Sequence, residues 1–409
     1  MASAESLTMV MATLLPLLVH FTTCSDHTTH YIKPTANVPC PADPCLTLSE
    51  YAQQIHHYLT SNTTLLFLPG DHVLSVNFTV ENVSNFEIYA KLTSTADNHT
   101  ASGSRIVCQG LVGFTFRHIT HMKVHGLTFN SCGKGAVGHD YYTDQDYLTT
   151  YGVSVYLGQD INILNCLFQD SIGTALGVFY SSLVLKGSNS FTNNCRGCSD
   201  RNHTCICLGG GIHTYNSTLN FEAENNTFAD TSDFISEAEN STFTNNSAED
   251  GGGIYAWQST LNFTGNTTFR NNSADKSGGG IRALYSSLKF TGNTTFRSNS
   301  AEQHGGGTAA WYSSLNFSGN TGFRNNIAQQ FGGGIGGAYS TLKFTGNTTF
   351  RKNIAQEFGG GITATYSTVK FTGDTTFRSN SAGQSGEGIG GPYSTLNFND
   401  NITFRNNSA

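Results

Sequence analysis

Six arginines recur at a fixed step: Arg270, Arg297, Arg324, Arg351, Arg378 and Arg405 lie 27 residues apart. A guanidinium is a permanent cation with a planar fork of donors, a shape that suits sulfate and carboxylate groups. A column of such forks could hold a repeating polyanion such as a sulfated or uronic-acid glycan. Each could also lie over apolar neighbours and stay solvated. The cysteines offer a second chemistry. Cys195, Cys198, Cys205 and Cys207 form a C-x2-C-x6-C-x-C cluster that could hold zinc or close disulfides, and Cys40 and Cys45 are near enough to bridge across a Pro-Ala-Asp-Pro turn.

Catalytic patterns are harder to find. Cleaving a polysaccharide takes two or three converging carboxylates, or Asp ligands for calcium with a Lys or Arg base. Glu249, Asp250, Asp275, Glu302 and Glu357 sit in variable turns and give way to Gln, Lys, Ser or Phe at equivalent positions, which reads as a solubility feature. Gly138-His139-Asp140 and His125-Gly126 lack the paired aspartates and the Arg-x-Lys partner of pectin hydrolases. His56, His57, His118 and His121 come without carboxylate or cysteine partners at ligand spacing. The expectation is no catalytic residue, no metal site and no cofactor.

The elements that carry these residues follow from the same period. Gly triplets begin at Gly251, Gly278, Gly305, Gly332, Gly359 and Gly386, each 27 residues after the last. The phenylalanine before each arginine keeps the step, and so do Asn272, Asn299, Asn326, Asn353, Asn380 and Asn407. Within a unit Ile254 and Ala256, Leu261 and Phe263, then Phe269 alternate with polar residues, which is strand periodicity. Three one-sided strands per unit cannot bury their apolar face alone, so successive units must stack in parallel at about 4.8 Å. The fold class is therefore all-β: a single-stranded right-handed parallel β-helix with three short strands per 27-residue coil. Phe lies inside and Arg outside. The asparagines at each strand end are placed to bond from coil to coil as a structural ladder.

Composition agrees. Only 12% of residues are charged, and a net charge of -7 gives no general attraction for nucleic acid. Residues 1–24 read as a signal peptide, with an apolar run from Met9 to Phe21 too short to cross a bilayer. No later stretch is long and apolar enough to span a membrane. The chain holds seventeen Asn-x-Ser/Thr triplets, with glycosylation candidates at Asn62, Asn77, Asn82, Asn98, Asn202, Asn262, Asn293 and Asn347. In a secreted chain, disulfides are the expected use of its cysteines. Residues 25–64 read as a Cys-containing segment and a capping helix, opened by the capping box Thr47-Leu-Ser-Glu50. The first strand is expected at Thr64-Leu-Leu-Phe67. Residues 65–250 read as irregular coils with loop insertions, and 251–409 as the regular array, which breaks off in mid-coil like a truncated product.

Gly-Gly-Gly-Ile paired with Phe-x-x-Asn resembles the repeats of the polymorphic outer membrane proteins of chlamydiae, specifically over 251–409 and more loosely from about 160. It is also similar to right-handed β-helix proteins predicted in sponges. The resemblance implies a right-handed β-helical passenger with an adhesive role. The bacterial family's C-terminal barrel has no counterpart here. We expect a secreted or cell-surface structural or adhesive solenoid, with extracellular glycans or cell-surface proteins as partners. The alternative is a carbohydrate-active enzyme of the pectate-lyase type with its groove in coils 100–250.

Overall fold

The computed structural model describes residues 28–34, 38–91, 103–109, 112–133, 151–195, 207–222 and 241–409. The signal segment, Asn98, Asn202, Cys198, Cys205 and Gly138-His139-Asp140 lie outside the described residues. The fold is a right-handed parallel β-helix. Every named strand pairs in parallel with its counterpart one coil away, in sheets of 14, 12 and 11 strands that follow the axis and a shorter one of 6 strands from Ser247–Ala248 to Ser381–Ala382.

One coil of the array shows how the sequence closes the circuit. Ile254–Trp257 belongs to the 11-stranded sheet, Thr260–Phe263 to the 14-stranded sheet and Thr267–Arg270 to the 12-stranded sheet. Three strands per coil were expected. A fourth ladder of two-residue strands, Ser273–Ala274 and its equivalents, joins them where the period-2 signal is too short to read. Phe296 pairs with Phe269 and Phe323, and Arg297 with Arg270 and Arg324, so residues 27 apart are vertical neighbours.

The core is two columns of phenylalanine. In one, Phe243, Phe269, Phe296, Phe323, Phe350 and Phe377 stack with centroids 4.6 to 4.9 Å apart, planes within 7° of parallel. In the other, Phe221, Phe263, Phe290, Phe317, Phe344 and Phe371 stack at 4.1 to 5.0 Å. All are buried. Such a pair adds about 0.5–1.5 kcal/mol beyond its buried area. The Gly triplets make the corner before the 11-stranded sheet. Gly251 has φ 64°, and a Cβ on Gly253 would meet the Gly280 carbonyl at 2.6 Å and the Phe269 ring at 2.9 Å. Close approach of backbone to backbone therefore demands glycine there.

The N-terminal end differs from expectation in detail. The helix forms with the Thr47–Glu50 capping box but in two pieces, Leu48–Gln53 and Ile55–Tyr58, broken at Gln54. The sheet begins before Thr64: Thr28–Lys33 pairs in parallel with Thr63–Phe67, and Cys45–Thr47 pairs outside it. The alternation of Thr28–Lys33 was hidden by its two leading threonines and by the proline that ends it. Among the described residues no helix is long and apolar enough to cross a membrane.

Candidate functional site

Strand alternation sets the arginine column. In Thr267–Arg270 the threonine and phenylalanine at positions one and three are buried, and Arg270 at position four is exposed. The same pattern recurs to Arg378, and pairing brings all six guanidinium-bearing residues into one vertical line. Among the described residues, no carboxylate lies within 4.0 Å of any of the six. Like charges stacked at coil spacing repel one another.

The column is rigid because the corner after it is. Asn271, Ser298, Asn325, Lys352 and Ser379 adopt φ of 52 to 55°, which turns the next residue inward. That residue is the ladder asparagine. Asn299 Oδ1 accepts from both the backbone N–H and Nδ2 of Asn272, each at 3.0 Å, and Asn299 Nδ2 donates to Asn326 Oδ1 and to the Phe269 carbonyl, each at 3.0 Å. The same bonds continue through Asn326, Asn353, Asn380 and Asn407. A buried primary amide satisfies a corner N–H that no backbone carbonyl reaches.

The cysteines pair. Cys40 bonds to Cys45, Cys195 to Cys207 and Cys108 to Cys132, while Cys166 is a buried free thiol pushed up to about 12 by burial. The Cys108–Cys132 bridge had no signal in local spacing, since it joins two coils. Of the glycosylation candidates, Asn77, Asn82, Asn293 and Asn347 are exposed, and Asn62 and Asn262 half-buried. Asn262 Nδ2 donates to Asn220 and Asn62 Oδ1 accepts from Asn85.

Carboxylates of the irregular coils are held in cross-coil pairs: Asp71 with Arg105 at 2.6 Å, Glu81 with Arg117 at 2.9 Å, Glu87 with Lys123 at 3.1 Å and Asp160 with His121 at 2.7 Å. Hydrogen bonds from their partners hold Asp71 and Asp160 below the usual carboxylate range. Among the described residues no three His, Cys, Asp or Glu side chains gather as a metal-binding group would. His56 and His57 end the cap, and His118 and His121 occupy left-handed corners.

One turn charge departs from the solubility reading. Asp250 is largely buried, and its carboxyl is pushed up to about 6 by that burial, opposed by Arg282 3.8 Å away. The Arg282 side chain is 7% exposed and lies 3.8 Å over the Trp311 ring, which also packs on His304. Burial pulls His304 down to about 4. In the next two coils the equivalent turns leave Asp275 and Glu302 exposed, so the covered charge is particular to this pair. Sequence also hides the charge balance until it is summed by region. Residues 251–409 hold seven Arg and five Lys against three Asp and three Glu, a net of +6, which leaves -13 on residues 1–250.

The Chlamydia polymorphic membrane protein repeat matches residues 240–256 and 266–284. No curated protein matches the chain. Solved structures similar to this chain include a protein of Geobacillus virus E2, 10% identical over 85% of this chain and 56% of that one (TM-score 0.36). The surface adhesin PfbA of Streptococcus pneumoniae is 11% identical over 85% and 87% (TM-score 0.31). The catalytic unit of an α-1,3-glucanase from Streptomyces thermodiastaticus is 11% identical over 91% and 70% (TM-score 0.31). The chain spans little more than half the length of the viral protein. It is a parallel β-helix whose array resembles the chlamydial repeats.

Proposed function

We propose that this chain is a secreted or cell-surface β-solenoid, a rigid adhesive module whose arginine column binds extracellular polyanionic glycans. The observation that carries the reading is six vertically registered, exposed arginines with no carboxylate beside them. The array's surplus of cations draws anions to this end of the molecule, and forks one coil apart suit a polymer whose sulfates or carboxylates repeat along its length. Three disulfides support an oxidising, extracellular setting. Retention on a heparin column tests it. Arg324→Gln with Arg351→Gln should elute at clearly lower salt than the parent, since each lost contact reduces counterion release; equal elution salt overturns the reading.

A further inference from the structure

A second surface column stands at another corner of the same coils. Tyr285, Tyr312, Tyr339, Tyr366 and Tyr393 are 49 to 76% exposed, with rings stacked at 4.8 to 5.0 Å and planes within 12° of parallel. Each has φ between 49 and 57°, a left-handed conformation that favours Gly or Asn over a bulky side chain. The corner does not need tyrosine. In the two preceding coils Asn216 and Gln258 make the same turn at φ 47 and 49°, with the same N–H bond to the next coil and the same buried serine after them. Five consecutive coils nonetheless put there a residue that is costly in backbone conformation and half in water.

What the column offers is set by the stacking. The ring faces are taken up by one another, so solvent meets ring edges and phenol hydroxyls. Among the described residues none of the five hydroxyls has a hydrogen-bond partner. Two residues on, along the outer face of the 14-stranded sheet, runs a column of exposed hydroxyls that includes Ser314 and Thr341. Two further, Lys289, Lys343 and Lys370 share a column with Asn316 and Asn397. The face thus repeats a phenol and a hydroxyl in each coil, with an ammonium in three coils of the five and an amide in the other two. Its lysines favour an anionic partner.

We propose that this Tyr–Ser/Thr–Lys face is a binding surface for an extended polyuronate, lying along the solenoid axis with its sugar hydroxyls on the tyrosines and its carboxylates on the lysines. A sugar unit is about as long as one coil step, so successive units meet successive rungs. The face is separate from the arginine column, which lies on the 12-stranded sheet beyond the Thr-Gly-Asn corner, and the two can fail independently.

Affinity electrophoresis of the parent chain in gels containing polygalacturonate, alginate or neutral dextran tests it. At least one polyuronate should retard the protein and dextran should not. Tyr312→Phe, Tyr339→Phe and Tyr366→Phe together keep the stacked rings but remove three hydroxyls, and should weaken retardation at least fivefold with an unchanged melting midpoint. Lys343→Gln with Lys370→Gln should weaken it too, whereas the triple tyrosine variant should leave a heparin column at the parent's elution salt, because it keeps the arginine column intact. Parent-like migration of the triple variant, retardation by dextran alone, or no retardation by either polyuronate overturns the proposal. So does sedimentation showing that the hydroxyls instead hold two copies of the chain together.

Discussion

The irregular coils and the regular array solve the same stacking problem with opposite pairings. From Asp71 to Glu222 charged residues meet their opposites across coils, as in Glu87 with Lys123 and Glu222 with Lys186. From residue 251 onward the phenylalanine, arginine, ladder-asparagine and corner-serine positions each meet their own repeat. Only groups that attract themselves suit such a column: phenylalanine faces, tyrosine faces, the two-ended amide of asparagine and the hydroxyl of serine. Ser286, Ser313 and Ser340 show the last case, each Oγ accepting the N–H of the serine one coil before. Arginine is the exception, because it repels itself, and a repeat that keeps it six times is not explained by packing. The array's ion pairs, Lys276 with Glu249 and Arg282 with Asp250, lie at its first coils, where the repeats have diverged enough to place unlike charges together.

The strongest test of self-complementarity is to interrupt the amide ladder. Asn326 is fully buried. It accepts from the N–H and Nδ2 of Asn299 and donates to Asn353 and the Phe296 carbonyl. Asn326→Ala leaves the buried Asn299 N–H without its acceptor and takes one bond each from Asn299 Nδ2, Asn353 Oδ1 and the Phe296 carbonyl, and should cost about 3 kcal/mol in urea unfolding. A loss of under about 0.5 kcal/mol, the scale of an exposed ion pair, would mean that the ladder is incidental to the array's stability.

The second test sits where the two pairing styles meet. His304 occupies a column position taken by Phe331 and Phe358 in the next coils, stacks on Phe331 at 5.1 Å, and has an unpartnered buried Nδ1. Its folded pKa of about 4 lies below the ordinary 6.5, so the folded chain binds fewer protons than the unfolded one between those values. Stability must therefore fall as pH drops through that window. Asp250, raised to about 6, acts in the opposite sense as pH falls from there. His304→Phe continues the aromatic column and removes only the first effect. It should match the parent near pH 7.5 and exceed it by on the order of 1 kcal/mol at pH 5, read as unfolding midpoints across pH. A difference independent of pH would show that packing alone separates the two chains.

How much of this was legible in the sequence depends on whether a residue's vertical neighbour is its own repeat. Phe296, Arg297 and Asn299 could be placed from spacing alone, because 27 residues return the chain to the same point. Asp250 and Arg282 could not, since their pairing joins unlike positions of adjoining coils, and Cys108 with Cys132 is the same case. The tyrosine column was visible as a repeat but not as a surface. It sits at a corner where inward Ala283 and inward Ser286 are separated by two residues, and alternation cannot say which way a corner residue points. Thr28–Lys33 was missed because it precedes the cap that was taken to begin the solenoid.

The smallest effect separates the regions by sign. Arg105 lies in a bidentate pair with Asp71, with Nε donating at 2.9 Å and Nη2 at 2.6 Å, both partners about half exposed. Arg324 stands between Arg297 and Arg351. The same change, arginine to glutamine, removes an attraction in the first case and two repulsions in the second. Arg105→Gln should therefore destabilise by about 0.5 kcal/mol, and Arg324→Gln should stabilise by a few tenths, about the size of a like-charge pair facing across strands. Both differences should shrink as salt is raised from 0.02 to 0.5 M, because screening weakens attraction and repulsion alike. Destabilisation by Arg324→Gln that salt does not touch would show that the side chain earns its place by packing its stem. The repulsion would then no longer argue that the column is kept for a ligand, and the heparin comparison alone would decide the matter.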